Sequence, residues 1–227
     1  MDWIVRKGVV KIPDRVSYEQ ASFIEPVNTC LKALESLQLQ ADETVLVIGQ
    51  GPIGVILASL AKRTGATVVT SDLYPQRLKI SESYGLQHNV NAGEADPAAR
   101  VRELTDGRGA DAVILATAGN SLIKPAMDAV RPGGKVMLFA QTQRSEVAID
   151  PSAVCMDEKM LMGSYSASVD LQDENVQLVF SGEIDFARLI SHRFPLAQSV
   201  EALHLASHPG PDSMKIVIQP GMDWEKN

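Results

Sequence analysis

The segment GQGPIG, residues 49–54, has the residue types and spacing in this sequence that are best suited to chemistry. It follows the apolar run TVLVI and begins the predicted helix PIGVILASLAKR. Gly49 would turn the chain sharply, Gly51 would leave room for a pyrophosphate beside the main chain, and Gly54 would let the helix pack closely on the sheet. Because the first N–H groups of a helix lack intrahelical partners, the segment predicts a diphosphate-binding loop.

A carboxylate stands where such a loop needs one, since Asp72 ends the second predicted strand, TVVTSD, about twenty residues after Gly51. It would accept hydrogen bonds from the ribose hydroxyls of an adenosine and repel a 2′-phosphate, which favours NAD over NADP. Arg77 complicates this choice, because a nearby arginine can bind that phosphate. The alternative is a glycine-rich turn in an unrelated α/β protein, but the strand–loop–helix context together with Asp72 argues against it.

Composition limits the other classes of function. The 227 residues are 45% hydrophobic, which suffices for one large core, or for one core with a smaller lobe. A net charge of −7 argues against nucleic acid or an anionic membrane as a partner. Cys30 and Cys155 are too far apart to suggest a disulfide framework, and neither a signal peptide nor a membrane-spanning run is evident. We therefore expect a cytoplasmic protein.

Strand and helix signals alternate from Thr44 to Ala167, and this rhythm predicts an α/β fold with a doubly wound parallel sheet. After Ala167 we predict a helix with Asp170 as its N-cap and Gly182 as its end, then a further helix and the closing strand MKIVIQP. The first residues lack this rhythm. The expected organisation is a nucleotide-binding domain over residues 27–166, flanked by segments 1–26 and 167–227.

Longer stretches carry a resemblance to a known family. The segments FIEP, VLVIGQGPIG, SDLYPQRL, GADAVILATAG, RPGGKVMLFA and ISHRFPLAQSVEAL resemble the zinc-dependent medium-chain dehydrogenase/reductase family, most closely its sorbitol, threonine and polyol dehydrogenase branch. The resemblance runs from about Val10 to Gln219. It implies a Rossmann domain beside a GroES-like catalytic domain, NAD and zinc as cofactors, hydride transfer between a small secondary alcohol and NAD, and assembly into homodimers or tetramers.

The resemblance also implies particular site residues. The pyrophosphate loop would be Gly49, Gly51, Pro52, Ile53 and Gly54, with Asp72 and Arg77 at the adenosine ribose. The edge of the cofactor near its nicotinamide would meet Thr117, Ala118, Gly119, Phe139, Ala140, Gln141, Ser164 and Tyr165. Glu25 matches a position at the family's catalytic zinc, and would be both a metal ligand and the remaining catalytic residue.

The sequence also departs from the family pattern. The first zinc-binding cysteine, the His–Glu pair and the proton-relay hydroxyl of the catalytic domain have no counterpart in it. We therefore expect a truncated protein or fragment, in which residues 1–26 and the C-terminal segment form a remnant of that domain and zinc is absent. Glu25 has a second interpretation, as a carboxylate that stabilises a helix N-terminus without further function.

Other residues could in principle bind a metal: His88, His192, His204, His208, Cys30 and Cys155. Only His204 and His208 have helical i, i+4 spacing, and surface histidines are the favoured interpretation. Three functions stay open. The first is the NAD-binding domain of an alcohol or polyol dehydrogenase, with weak or no activity in this chain. The second is a non-catalytic NAD-binding or assembly module. The third is a zinc-free quinone reductase relative, against which GQGPIG and Asp72 speak.

Overall fold

The computed structural model describes residues 2–221 and confirms the expected α/β architecture. A six-stranded sheet, parallel throughout, has the strand order β3-β2-β1-β4-β5-β6. Its strands are β1 (Thr44–Ile48), β2 (Thr67–Asp72), β3 (His88–Asn91), β4 (Ala110–Leu115), β5 (Val130–Leu138) and β6 (Met160–Gly163). Two further strands, β7 (Ile190–Pro195) and β8 (Lys215–Gln219), pair in parallel as a separate small sheet.

Helices connect these strands. They are α1 (Asp2–Gly8), α2 (Tyr18–Ala21), α3 (Ile24–Leu37), α4 (Pro52–Arg63), α5 (Pro75–Ser83), α6 (Pro97–Leu104), α7 (Ile123–Ala129), α8 (Pro151–Cys155), α9 (Gln172–Ser181) and α10 (Ser199–Ser207). The strand order reverses direction between β1 and β4, and in doubly wound sheets the crevice at that switch point receives the ligand. No helix within residues 2–221 is long and apolar enough to cross a membrane.

The central strands read as unbroken apolar runs because helices cover both faces of the sheet. Val45 belongs to a buried cluster with residues of α3, α4 and α9, whereas its neighbour Leu46 points to the other face. There Leu46 joins Val101 of α6 and Met127 of α7 in a second cluster. Alternate residues of β1 are therefore buried on opposite sides, which is why the strand shows no polar–apolar alternation.

The two ends of the described chain meet. Both oxygens of the Glu19 carboxylate accept hydrogen bonds from Arg193, at 2.6 and 2.8 Å, and Gln219 also donates to this carboxylate. The hydrogen bond from Arg193 is the main reason why the pKa of Glu19 lies below its usual value. Segment 1–26 thus contacts segment 167–227 directly.

Details at the ends differ from the sequence-based expectations. Asp170 was expected to cap a helix, but it lies in a 3₁₀ turn over Val169–Leu171, and α9 begins after Leu171 with no side-chain cap. That expectation was wrong because the chain already turns helically before α9 and leaves Asp170 inside the turn. Gly182 does end α9, with a left-handed φ of +73°. Helices α1, α2 and α8 are too short to show a clear periodic pattern, and the sequence analysis missed them.

Candidate dinucleotide-binding site

Gly49 follows β1 and has a left-handed φ of +93°, a conformation that favours glycine. A Cβ atom at this position would lie 2.7 Å from the Cβ of Thr117, which follows β4. The N–H of Gly49 donates to the carbonyl of Ser71 at 2.7 Å. The turn is therefore fixed between the two neighbouring strands, and both its dihedral angle and its close packing require glycine.

Gly54 and Gly51 are glycines for different reasons. A Cβ at Gly54 would lie 1.8 Å from the carbonyl oxygen of Gly49, so that α4 packs directly on the loop. At Gly51 the backbone is extended, with φ −68° and ψ −175°, and an added Cβ would meet no atom within 4 Å. Neither the backbone nor the packing requires glycine at position 51, and the space beside it is open.

That open space adjoins the N-terminus of α4, where Gly51 is the N-cap and no side chain caps the first turn. Pro52 occupies the first helical position and has no N–H. The next amides, those of Ile53 and Gly54, have no main-chain partner outside the helix among the described residues. Free amides and the positive end of the helix dipole suit an anion.

Asp72 lies at the carboxyl end of β2 and is 8% exposed. Its Oδ2 accepts a hydrogen bond from the N–H of Gln50 at 2.7 Å, and its Oδ1 accepts one from the N–H of Tyr74 at 2.9 Å. A carboxylate oxygen accepts more than one hydrogen bond, so each oxygen keeps capacity for a ribose hydroxyl. Asp72 thus also holds the glycine-rich loop against β2, a contact that the sequence did not reveal.

Gln50 is a structural residue of the site that the sequence analysis missed. Its side chain is fully buried, and its Nε2 donates to the carbonyls of Val47 and Gly49 at 3.2 and 3.1 Å. Its Oε1 accepts a hydrogen bond from the hydroxyl of Ser81 on α5 at 2.9 Å. One feature of the sequence could have indicated this role, namely a glutamine placed between two glycines of the loop. A polar side chain at such a position must be either exposed to water or hydrogen-bonded inside the fold.

Arg77, on the first turn of α5, is held by the C-terminal segment. Its Nη2 donates to the carbonyls of Gly210 and Ser213 at 3.2 and 3.5 Å. Its Nη1 lies 3.8 Å from Oδ2 of Asp72, and the guanidinium lies over the ring of Tyr74, 4.9 Å from its centroid. Arg77 is therefore next to Asp72, as expected, but part of its hydrogen-bonding capacity is already used.

The remaining predicted cofactor residues follow the carboxyl ends of β4, β5 and β6. These ends share one edge of the sheet, because neighbouring strands of a parallel sheet point the same way. Phe139 and Ala140 donate main-chain hydrogen bonds to the carbonyl of Leu115, at 3.2 and 3.0 Å. Their neighbours at this edge are Thr117, Ala118, Gly119, Gln141, Ser164 and Tyr165, of which Thr117, Ala118, Gln141 and Tyr165 are exposed. The structure therefore brings these predicted residues to one side of the molecule.

Glu25 is exposed in the first turn of α3, a helix whose Lys32 donates a hydrogen bond to the carbonyl of Tyr165 at 2.8 Å. The ammonium of Lys215 lies 5.1 Å above the ring of Phe23, and burial lowers the pKa of Lys215 while the charge of Glu25 opposes the shift. Within residues 2–221 no three His, Cys, Asp or Glu side chains come together as a metal site. A catalytic zinc takes three protein ligands, so the described residues do not fit one.

The spare metal candidates do not change this result. His204 and His208 are both exposed, and their rings stack with centroids 4.9 Å apart. Cys30 is fully buried, and burial raises the pKa of its thiol, whereas Cys155 is exposed at the end of α8. His88 begins β3 of the large sheet, whereas His192 lies within β7 of the small sheet.

A doubly wound parallel sheet with a glycine-rich turn at its switch point defines the class of nucleotide-binding α/β proteins. Comparison with known families narrows this class. The family model for zinc-binding dehydrogenases matches residues 52–181, which is more than half of the chain. The chain belongs to this family, and the resemblance inferred from the sequence is confirmed.

Individual relatives agree with this assignment. The chain is 29% identical over 214 residues to sorbitol dehydrogenase from Bacillus subtilis, covering 93% of this chain and 60% of the relative. The solved structure of an alcohol dehydrogenase from Thermus sp. ATN1 superposes with a TM-score of 0.83 at 27% identity, covering 91% of this chain and 60% of that one. A zinc-binding dehydrogenase from Sinorhizobium meliloti, solved with NADP bound, gives a TM-score of 0.82 at 25% identity and coverages of 93% and 62%. The chain thus spans about 60% of the length of these relatives.

Proposed function

We propose that this chain binds NAD(H) and is the nucleotide-binding part of an alcohol or polyol dehydrogenase. The observation that carries the proposal is the open space at Gly51, where a Cβ would meet no protein atom, beside the uncapped N-terminus of α4. A pyrophosphate accounts for a glycine that the protein's own packing does not explain. Family membership supports the class of reaction, since the named relatives are oxidoreductases.

In this proposal each part of the dinucleotide has its own residues. The amides of Ile53 and Gly54 bind the pyrophosphate, and Asp72 accepts hydrogen bonds from the adenosine ribose. The segments 117–119 and 139–141, together with Ser164 and Tyr165, line the nicotinamide end. Bound NAD supplies the hydride acceptor for oxidation of a small secondary alcohol, and this edge of the sheet orients it and limits its contact with water.

The proposal extends to the organisation of the chain. Segments 1–26 and 167–227 belong to a catalytic domain, and residues 27–166 form the nucleotide-binding domain of a cytoplasmic protein. The exposed side chains of Met156, Met160 and Leu161 lie at or near β6, the edge strand of the sheet. An exposed apolar edge favours self-association, so homodimers or tetramers belong to the proposal.

The substitution Gly51→Val tests the binding site. The added side chain would occupy the space assigned to the pyrophosphate, and we expect the dissociation constant for NADH to rise about tenfold or more. Calorimetry measures this constant, and circular dichroism shows whether the fold is kept. Gly221→Val is the matched control, because an added Cβ at Gly221 also meets nothing within 4 Å. Equal NADH affinity in both variants would contradict the proposed site.

A second candidate function is a non-catalytic NAD-binding module. It is favoured by Glu25, which is the one family zinc position that the sequence retains and which has no cluster of ligands around it in the described residues. Zinc analysis of the purified protein and alcohol-dependent reduction of NAD separate the two functions. Dinucleotide binding with neither metal nor turnover would favour the module, whereas turnover with bound zinc would favour the dehydrogenase.

A further inference from the structure

The loop of residues 209–213, PGPDS, lies between α10 and β8 and contacts the adenosine side of the candidate site. Its carbonyls at Gly210 and Ser213 accept the two hydrogen bonds from Nη2 of Arg77 described above. The side chain of Arg77 is 15% exposed, and its Nε is buried with no partner among the described residues. Two residues from the C-terminal segment thus hold the guanidinium next to Asp72.

The loop has its own reasons to keep this shape. The N–H of Gly210 donates to Oγ of Ser213 at 3.1 Å, and the N–H of Ser213 donates back to the carbonyl of Gly210 at 3.1 Å. The next residue, Met214, donates to Oγ of Ser191 at 2.9 Å. Ser213 is 4% exposed, so its hydroxyl closes the turn from inside the fold. The carbonyls are therefore held in place facing Arg77.

We propose that the 209–213 loop determines the choice between NAD and NADP by withholding Arg77. An arginine next to the adenosine ribose would bind the 2′-phosphate of NADP, but the loop carbonyls occupy Nη2 of this guanidinium and hold its plane in one orientation, so the group is not free to turn both of its Nη donors to a phosphate. Asp72 repels the same phosphate, and the exposed Asp212 of the loop adds a second negative charge nearby. This inference rests on the proposed dinucleotide site.

Arg77 would make the same contacts if its role were purely structural. The test must therefore show whether the effect of a loop substitution on NADPH affinity depends on Arg77. Four proteins form a double-mutant cycle: the unaltered chain, Ser213→Ala, Arg77→Met and the double variant. The dissociation constants for NADH and NADPH are measured for each by calorimetry. Ser213→Ala removes the hydroxyl that closes the turn, and we expect the affinity for NADPH relative to NADH to rise about three- to tenfold.

In the double variant, Arg77→Met should cancel the increase in NADPH affinity that Ser213→Ala produces. Without Arg77 there is no guanidinium that the loosened loop could release to bind the 2′-phosphate. Ser199→Ala is the control, since its hydroxyl closes a turn onto the carbonyl of Leu196 away from Arg77. Pro211→Gly is the second variant, which loosens the loop without removing any of the hydrogen bonds described above and should shift the ratio in the same direction. A gain in NADPH affinity that disappears with Arg77→Met would support the proposal.

The inference would be overturned if the affinity for NADPH relative to NADH were the same in all four proteins, or if its increase persisted in the double variant that carries Arg77→Met. The proposed function would still stand in either case, provided that the unaltered chain binds NADH. Absence of NADH binding to the unaltered chain would overturn the proposed function and this inference together.

Discussion

The candidate dinucleotide-binding edge of the sheet and the joined chain ends differ in how they are built. At the edge, residues close together in sequence fix one another, since Asp72 accepts a hydrogen bond from the loop amide of Gln50, and the side chain of Gln50 accepts one from Ser81 of α5. At the ends, an exposed ion pair between Glu19 and Arg193 joins segments far apart in sequence. Buried polar contacts that support one another hold the first region, whereas the second combines this pair, which water and salt weaken, with the buried stacking of Phe23 on Phe186.

The two regions also differ in what they expose. The edge presents main-chain amides, glycines and a carboxylate, which suit a polar ligand. The ends present an apolar groove of about 730 Å³, whose lining includes Tyr18, Val217 and Ile218, and the exposed carboxylate of Glu25. Within the described residues, binding groups are therefore concentrated at one region and a complete set of catalytic groups is found at neither.

Gly54→Ala should have the largest effect. The new Cβ would lie 1.8 Å from the carbonyl oxygen of Gly49, and a main-chain oxygen cannot rotate away. We expect the free energy of unfolding to fall by about 3 kcal/mol or more, as measured by urea denaturation. Gly221→Ala, in open space, is the control and should unfold as the unaltered chain does. Equal urea midpoints for the two variants would show that the loop is less rigid than described.

Asp72→Ser should have the next largest effect, on binding rather than on folding. It removes a charged acceptor for the ribose and shortens the group that holds Gln50 and Tyr74. Hydrogen bonds to charged groups contribute about 1.5–3 kcal/mol, so we expect NADH to bind roughly ten- to a hundredfold more weakly and discrimination against NADPH to decrease. Calorimetric titration with both dinucleotides measures this.

The control is Asp96→Ser, which alters a carboxylate that caps α6 by accepting the N–H of Ala98 at 3.0 Å. If Asp72→Ser left the affinities for NADH and NADPH unchanged, Asp72 would not be part of the binding site.

Glu19→Gln at the joined ends should have the smallest effect. The depressed pKa of Glu19 means that its carboxylate stabilises the fold above its unfolded pKa, and that this contribution is lost as the pH falls from about 4.5 through the lower folded pKa. Because the pair is exposed, we expect a difference in unfolding free energy of about 0.5 kcal/mol or less at neutral pH. Urea denaturation at pH 7 and pH 3 measures it.

Glu103→Gln removes the exposed pair with Arg100 and serves as the control. If Glu19→Gln lowered the free energy of unfolding by more than this, and did so at pH 3 as well, packing and not charge would be what joins the ends.

The sequence predicted those parts of the molecule in which neighbouring residues decide the structure. The strands of the large sheet, the turn at Gly49 and the position of Asp72 follow from apolar runs, glycines and spacing within one continuous unit. The loop carbonyls on Arg77 and the partners of Glu19 come from residues more than a hundred positions away, which no local pattern encodes. Asp170 shows the same limit, because its cap depended on where a preceding turn began.

The bonds of Asp72 to the amides of Gln50 and Tyr74 have a kinetic and thermodynamic consequence. These hydrogen bonds hold the loop in its binding conformation in the free protein, so that its amides are already aligned for a dinucleotide. Binding would therefore restrict few additional torsion angles of the protein. The entropic penalty of capture would then fall mainly on the ligand, which must extend across the sheet edge.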